Sequence, residues 1–207
     1  MIQPESGPPG APAATRTMGF GRRLRKTVLL ALPTTALVVV LVGAVHEFGH
    51  CLAVWLTGGR VVAVEFFFFL GRAETVWAGT PGRVGEMLIT AGGGVFNYLV
   101  GVAILPFLPR LARAGLAPFL FGTSLSIACA MWSLTWTAFP LLHLAGWRIG
   151  DDSVHLIVVH GVSPAWFSTV SLAAMLLYVF PMVKQFRRSL PWLESAFRLP
   201  ARSVPGR

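Results

Sequence analysis

Thr27-Val-Leu-Leu-Ala-Leu-Pro-Thr-Thr-Ala-Leu-Val-Val-Val-Leu-Val-Gly-Ala-Val45 runs without a break into His46-Glu47-Phe48-Gly49-His50 and then Cys51-Leu-Ala-Val-Trp-Leu56. The first 19 residues carry no charge. As a helix they extend about 28 Å, close to the thickness of a bilayer's hydrocarbon core. The run is too long for the apolar region of a secretory leader, and no small-residue cleavage site closes it. It predicts a membrane-spanning helix.

Working outward, three more apolar runs follow. One extends from Met87 to Leu108, one is uncharged from Ala114 to Trp147 with its spanning part near 119–142, and one is uncharged from Ser163 to Val183. Composition agrees. Of the 207 residues, 55% are hydrophobic and 12% charged, about half the charge of a soluble globular chain. Between the first two runs, Val61-Val-Ala-Val-Glu-Phe-Phe-Phe-Phe-Leu70 and Thr75-Val-Trp77 are rich in β-branched and aromatic residues and flanked by glycines. They predict a short membrane-associated hairpin. The expected fold class is an all-α polytopic membrane protein of about four transmembrane helices, with that hairpin after the first.

Residues 1–26 read as a flexible basic tail, 27–183 as the membrane domain and 184–207 as a second basic tail. The prolines at 191, 200 and 205 argue against a long helix there. The net charge of +9 does not point to nucleic acid. Of 17 basic residues, five lie in the first 26 positions and six follow position 183. Basic residues at the ends of apolar runs mark a cytoplasmic membrane face. The pattern predicts both termini in the cytoplasm and the lipid bilayer as a partner. Cys51 and Cys129 sit inside apolar runs and read as small buried hydrophobes.

The polar interruption in the first helix carries the chemistry. Residues four apart on a helix share a face, so His46 and His50 can offer nitrogens to one metal ion. Glu47 sits beside them. This is the H-E-x-x-H arrangement of zinc metalloproteases, two ligands and a general base. Two imidazoles and a carboxylate inside an apolar helix are costly without partners, and a bound cation supplies one. A catalytic zinc takes three protein ligands. The candidates for the third are Asp151, Asp152, His143, His155, His160, Glu65, Glu74 and Glu86, and the first two are the only aspartates in the chain.

His46-Glu-Phe-Gly-His50 in an early apolar helix resembles the site-2-protease family of intramembrane zinc metalloproteases, and its short members best. Gly59-Arg-Val-Val-Ala-Val-Glu65 is similar to that family's hairpin, and Ala91-Gly-Gly-Gly-Val-Phe-Asn97 to its glycine-rich helix. Thr137-Ala-Phe-Pro140 followed by Gly150-Asp151-Asp152 is similar to its Asn-x-x-Pro and Asp-Gly element. The resemblance covers roughly 27–160. It implies one zinc ion per chain, held by His46, His50 and Asp151 (Asp152 as alternate). It further implies Glu47 as the base and cleavage of a transmembrane protein substrate in a bacterial cell membrane.

Two positions depart from the pattern: Thr137 stands for Asn, and Asp152 for Gly. They are the evidence for one alternative, a catalytically degenerate scaffold or binding relative; a small metal-handling membrane protein, whose histidines carry an ion, is the other. Asn97 is a candidate for positioning substrate, or for an interhelical hydrogen bond. The strand around Val61–Phe69 is a candidate edge for an extended substrate.

Overall fold

The computed structural model describes residues 20–67 and 72–197. Helix α1 spans Phe20–Leu56, strands β1 and β2 span Arg60–Phe67 and Arg72–Ala78, and α2 spans Gly82–Ile104. A 3-10 turn at Leu105–Phe107 leads into α3, Leu108–Ala114. Then come α4 (Leu116–Leu144), the short α5 (Asp152–Val158) and α6 (Pro164–Phe197). Four helical stretches among the described residues are long and apolar enough to cross a membrane: Leu32–Leu56, Gly82–Ala114, Leu116–Leu144 and Pro164–Trp192. The chain is therefore a polytopic helical membrane protein, with one antiparallel two-stranded hairpin after its first helix.

Two boundaries differ from expectation. Helix α1 begins at Phe20, so the basic residues 22–26 lie on its first turns and not in a tail. Its 37 residues extend about 55 Å, more than a bilayer needs, so the charged turns project beyond the hydrocarbon. Likewise α6 runs through Pro181 and Pro191 to Phe197. Each proline leaves one carbonyl a turn earlier without its helical donor. For Pro191 that carbonyl belongs to Arg187, among charged residues near the membrane surface where water can supply the bond. The first 19 residues and residues 198–207 lie outside the described part of the chain.

Helix α1 ends at Leu56, and the turn that follows passes through Gly58, whose φ of +79° suits glycine. The Gly59 N–H reaches back to the Val54 carbonyl at 2.8 Å and the Gly58 N–H to Trp55 at 3.1 Å, which satisfies the last carbonyls and turns the chain into the hairpin. The strands pair Val61 with Trp77, Val64 with Thr75 and Glu65 with Glu74, with an irregularity between Val61 and Ala63. Val61 and Trp77 pack on Ala53, Val54 and Ile89, so the hairpin is docked against α1 and α2.

Helix α2 packs between α1 and α4, while α6 packs on α4 and α3. Water offers no driving force between helices in lipid, so close approach through small residues matters. A Cβ at Gly92 would lie 2.7 Å from the Gly49 carbonyl oxygen, so α1 and α2 touch backbone to backbone. A second cluster of Trp136, Leu156 and Phe167 fixes α5 against α4 and α6. The outer face of α6 is left uncovered by the described residues: Leu177 is 72% and Phe180 77% exposed, as a lipid-facing surface requires.

Candidate metal centre

Although they lie within a spanning helix, His46, Glu47 and His50 are all buried. Their environment is supplied by four other elements, β2, α2, α4 and α5. From α5 comes Asp152, whose Oδ2 is 3.1 Å from His46 Nε2 and 3.2 Å from His50 Nε2. The two Nε2 atoms are themselves 3.1 Å apart. Three ligand-type atoms from residues 106 positions apart in sequence thus form a nearly equilateral triangle. An ion holding nitrogen and oxygen atoms at about 2.0 Å in tetrahedral geometry keeps them about 3.3 Å from one another. His46, His50 and Asp152 could hold a metal ion, and the triangle has the size that such an ion requires.

The outer ring nitrogens support this. His50 Nδ1 lies 2.6 Å from the Ile89 carbonyl oxygen. That oxygen can only accept, so Nδ1 carries the proton and Nε2 is left as a lone pair. His46 Nδ1 is 3.4 Å from the Asn97 amide. The amide orientation that satisfies both its ends turns its nitrogen to the Val42 carbonyl (3.3 Å) and its oxygen to the Trp132 indole N–H (2.6 Å). The oxygen then also faces His46 Nδ1 and accepts its proton, freeing Nε2. Both histidines aim lone pairs at the carboxylate. Three acceptors facing one another need a positive charge between them. Bonds that fix the second nitrogen are the usual support of metal-binding histidines.

Glycines make room for this. A Cβ at Gly93 would come within 2.5 Å of His50 Nε2 and 2.7 Å of His46 Nδ1. A Cβ at Gly94 would collide with the Trp136 ring. In Gly92-Gly93-Gly94 the first residue admits α1, the second the two imidazoles and the third an indole.

Expectation favoured Asp151 as the third ligand, with Asp152 as alternate; the structure brings Asp152 to the histidines. Asp151 is the N-cap of α5, and its carboxylate accepts from the backbone N–H of Ser153 at 2.9 Å and from the Ser153 hydroxyl. A capping side chain folds back onto its own helix, so the next residue projects outward. Asp152 was the departure from the family pattern, and that departure delivers the carboxylate. Charge agrees. Burial opposes ionisation of Asp152, but the imidazoles of His46 and His50 outweigh it when protonated and hold the carboxyl well below the usual range. A proton and a metal ion compete there for the same atoms. For Asp151, burial is the largest influence and raises its pKa, and the bonds from Ser153 offset only part of the rise.

Glu47 points to the hairpin. Its Oε2 accepts from the Thr75 hydroxyl at 2.7 Å. Glu47, Thr75, Trp77, Trp132 and the three ligand-type residues line one cavity of about 730 Å³. His155 and Glu74 also line it, outside the triangle. His160 is buried against His155, with ring centres 5.6 Å apart. His143, Glu65 and Glu86 are not among the cavity residues. On the hairpin it is β2 that contributes Glu74, Thr75 and Trp77 to the wall.

Sequence reasoning missed Thr75 and Trp132. Neither had a signal: a threonine in a strand and a tryptophan in an apolar run are ordinary there. The chain matches no protein-family model, no curated protein and no solved structure.

Proposed function

We propose that this chain is an intramembrane zinc endopeptidase that hydrolyses peptide bonds within or beside transmembrane segments. The observation that carries the reading is the triangle of His46, His50 and Asp152 beside a buried carboxylate, in a cavity among membrane-spanning helices. His46, His50 and Asp152 hold one zinc ion per chain. Two nitrogens and one carboxylate oxygen with a further position open are a catalytic zinc's donor set. When bound, the ion supplies Lewis-acid polarisation of the substrate carbonyl and makes a water molecule acidic enough to attack near neutral pH.

The chain's own residues do the rest. Glu47 follows His46 directly, and Thr75 holds one of its oxygens. Its other oxygen takes the proton from the attacking water and delivers it to the departing amine. A helical substrate must unwind for its carbonyl to enter the cavity. Strand β2 forms part of the wall, so an extended segment lies against the hairpin. The basic residues at the end opposite the hairpin, Arg110, Arg113, Lys184, Arg187 and Arg188, orient the protein with both termini in the cytoplasm. The chain acts in the cell membrane, with the hairpin toward the far side.

The test is Glu47→Gln in the full chain, with a transmembrane model substrate in detergent or liposomes. Cleavage falls at least about 100-fold, as for loss of a general base, while zinc content stays at one per chain. Undiminished cleavage by Glu47→Gln overturns the assignment.

A further inference from the structure

Trp132 belongs to α4 and touches the metal centre twice. Its ring stacks on the His46 imidazole, with centres 4.4 Å apart and planes 19° from parallel. Its Nε1 lies 2.6 Å from the Asn97 amide oxygen, the same oxygen that faces His46 Nδ1. Asn97 is fully buried, so no water competes for its amide.

An amide is a two-faced group. With its oxygen toward His46 it demands a proton on Nδ1; with its nitrogen there it would instead donate to Nδ1 and drive the proton to Nε2. A proton on Nε2 would occupy the atom that faces Asp152 and His50. The amide's orientation therefore decides whether His46 is a ligand. Two neighbours fix it. The Val42 carbonyl, 3.3 Å away, can only accept and selects the nitrogen. The Trp132 indole can only donate and selects the oxygen. Of the two, the indole contact is shorter by 0.7 Å (3.3 against 2.6 Å).

We infer that Trp132 is a positioning residue of the metal centre, which sets the His46 tautomer through Asn97 by its indole N–H. The inference rests on the metal-centre part of the proposed function and is independent of proteolysis. Trp136, one turn further on α4, is the natural control. It packs on Phe167 at 5.3 Å, and its own Nε1 has no hydrogen-bond partner among the described residues.

The experiment titrates the purified full chain with cobalt(II), read by its visible absorption, and with zinc by competition. Trp132→Phe keeps the stacked ring and removes the donor. It weakens binding about tenfold, at the lower end of what partners of ligand histidines contribute, and alters the cobalt spectrum. Trp136→Phe leaves affinity within about twofold, as a change that breaks no bond should. Asn97→Leu weakens binding by about 10- to 100-fold. Adding Trp132→Phe to it has no further effect, because residues acting through one another are not additive. Asn97→Asp, as the neutral acid, donates its hydroxyl to the Val42 carbonyl in place of the amide nitrogen and keeps a carbonyl oxygen as acceptor for the indole and for Nδ1, so it binds as tightly as the wild type.

Wild-type affinity in Trp132→Phe, or losses that add in the double variant, would overturn the inference and leave Trp132 as packing. If Trp132→Phe does not fold, Asn97→Asp decides: binding as weak as Asn97→Leu refutes the tautomer lock. A wild-type chain that binds neither metal removes the metal centre itself, an outcome separable from all of these.

Discussion

At the hairpin end of the bundle, α1 buries two imidazoles and a carboxylate; the outer ring nitrogens are held by Ile89 and Asn97, and one Glu47 oxygen by Thr75. At the opposite end, where α3 packs on α6, the buried residues are Leu105, Leu108, Ala112, Phe119, Ala130 and Tyr178. Two hydroxyls there close on one another. Tyr178 bonds the Ser126 hydroxyl at 2.7 Å, and Ser126 donates to the Gly101 carbonyl at 2.8 Å. Both ends bear the expense of polar groups in lipid. At one end Ser126 and Tyr178 spend their hydroxyls between helices, which is glue. At the other, three lone pairs are left converging on an accessible cavity, and that residue of unused capacity distinguishes a site from a brace.

The comparison can be broken most forcefully at Asp152. Asp152→Ala should lower zinc affinity by at least about 100-fold, because it removes a ligand outright, whereas ordinary ligand partners contribute 10- to 100-fold. Equilibrium dialysis with metal analysis checks this. Gly93→Ala comes next. The added methyl would overlap both rings, and the expected loss is about 10- to 100-fold, measured the same way. Gly43→Ala, with nothing within 4 Å of its Cβ, should bind zinc as the wild type does. A smaller effect is expected from Asp151→Ala. It removes the cap of α5 at about 1 kcal/mol and loosens the segment that presents Asp152, so affinity falls less than tenfold. Equal losses in the two aspartate variants would refute the division of roles between them. The smallest effect on metal is at the far end. Ser126→Ala should cost about 1 kcal/mol of stability, seen in thermal unfolding in detergent, and leave zinc binding unchanged.

Much of this was legible in the residues. Apolar run lengths gave the four spans, and the spacing of His46 and His50 placed them on one face of α1. Gly92-Gly93-Gly94 announced close approach without saying of what. The choice between Asp151 and Asp152 was hidden, because it turns on which residue caps a seven-residue helix that no periodicity reveals. Asp-Asp-Ser at a helix start holds a hint, since a capping aspartate is spent on its own backbone. The length of α6 was underestimated because proline was weighed as a helix breaker without regard to water at the membrane edge. The roles of Thr75 and Trp132 depend on tertiary contact across 28 and 86 positions from Glu47 and His46 and leave no trace in local pattern.

The most direct test is a metal count on detergent-extracted full-length chain after dialysis against micromolar zinc. The account predicts one zinc per chain in the wild type and none in the His46→Ala/His50→Ala double variant. A wild-type chain without a transition metal, or a double variant that retains it, would contradict the claim that these imidazoles and Asp152 share one ion.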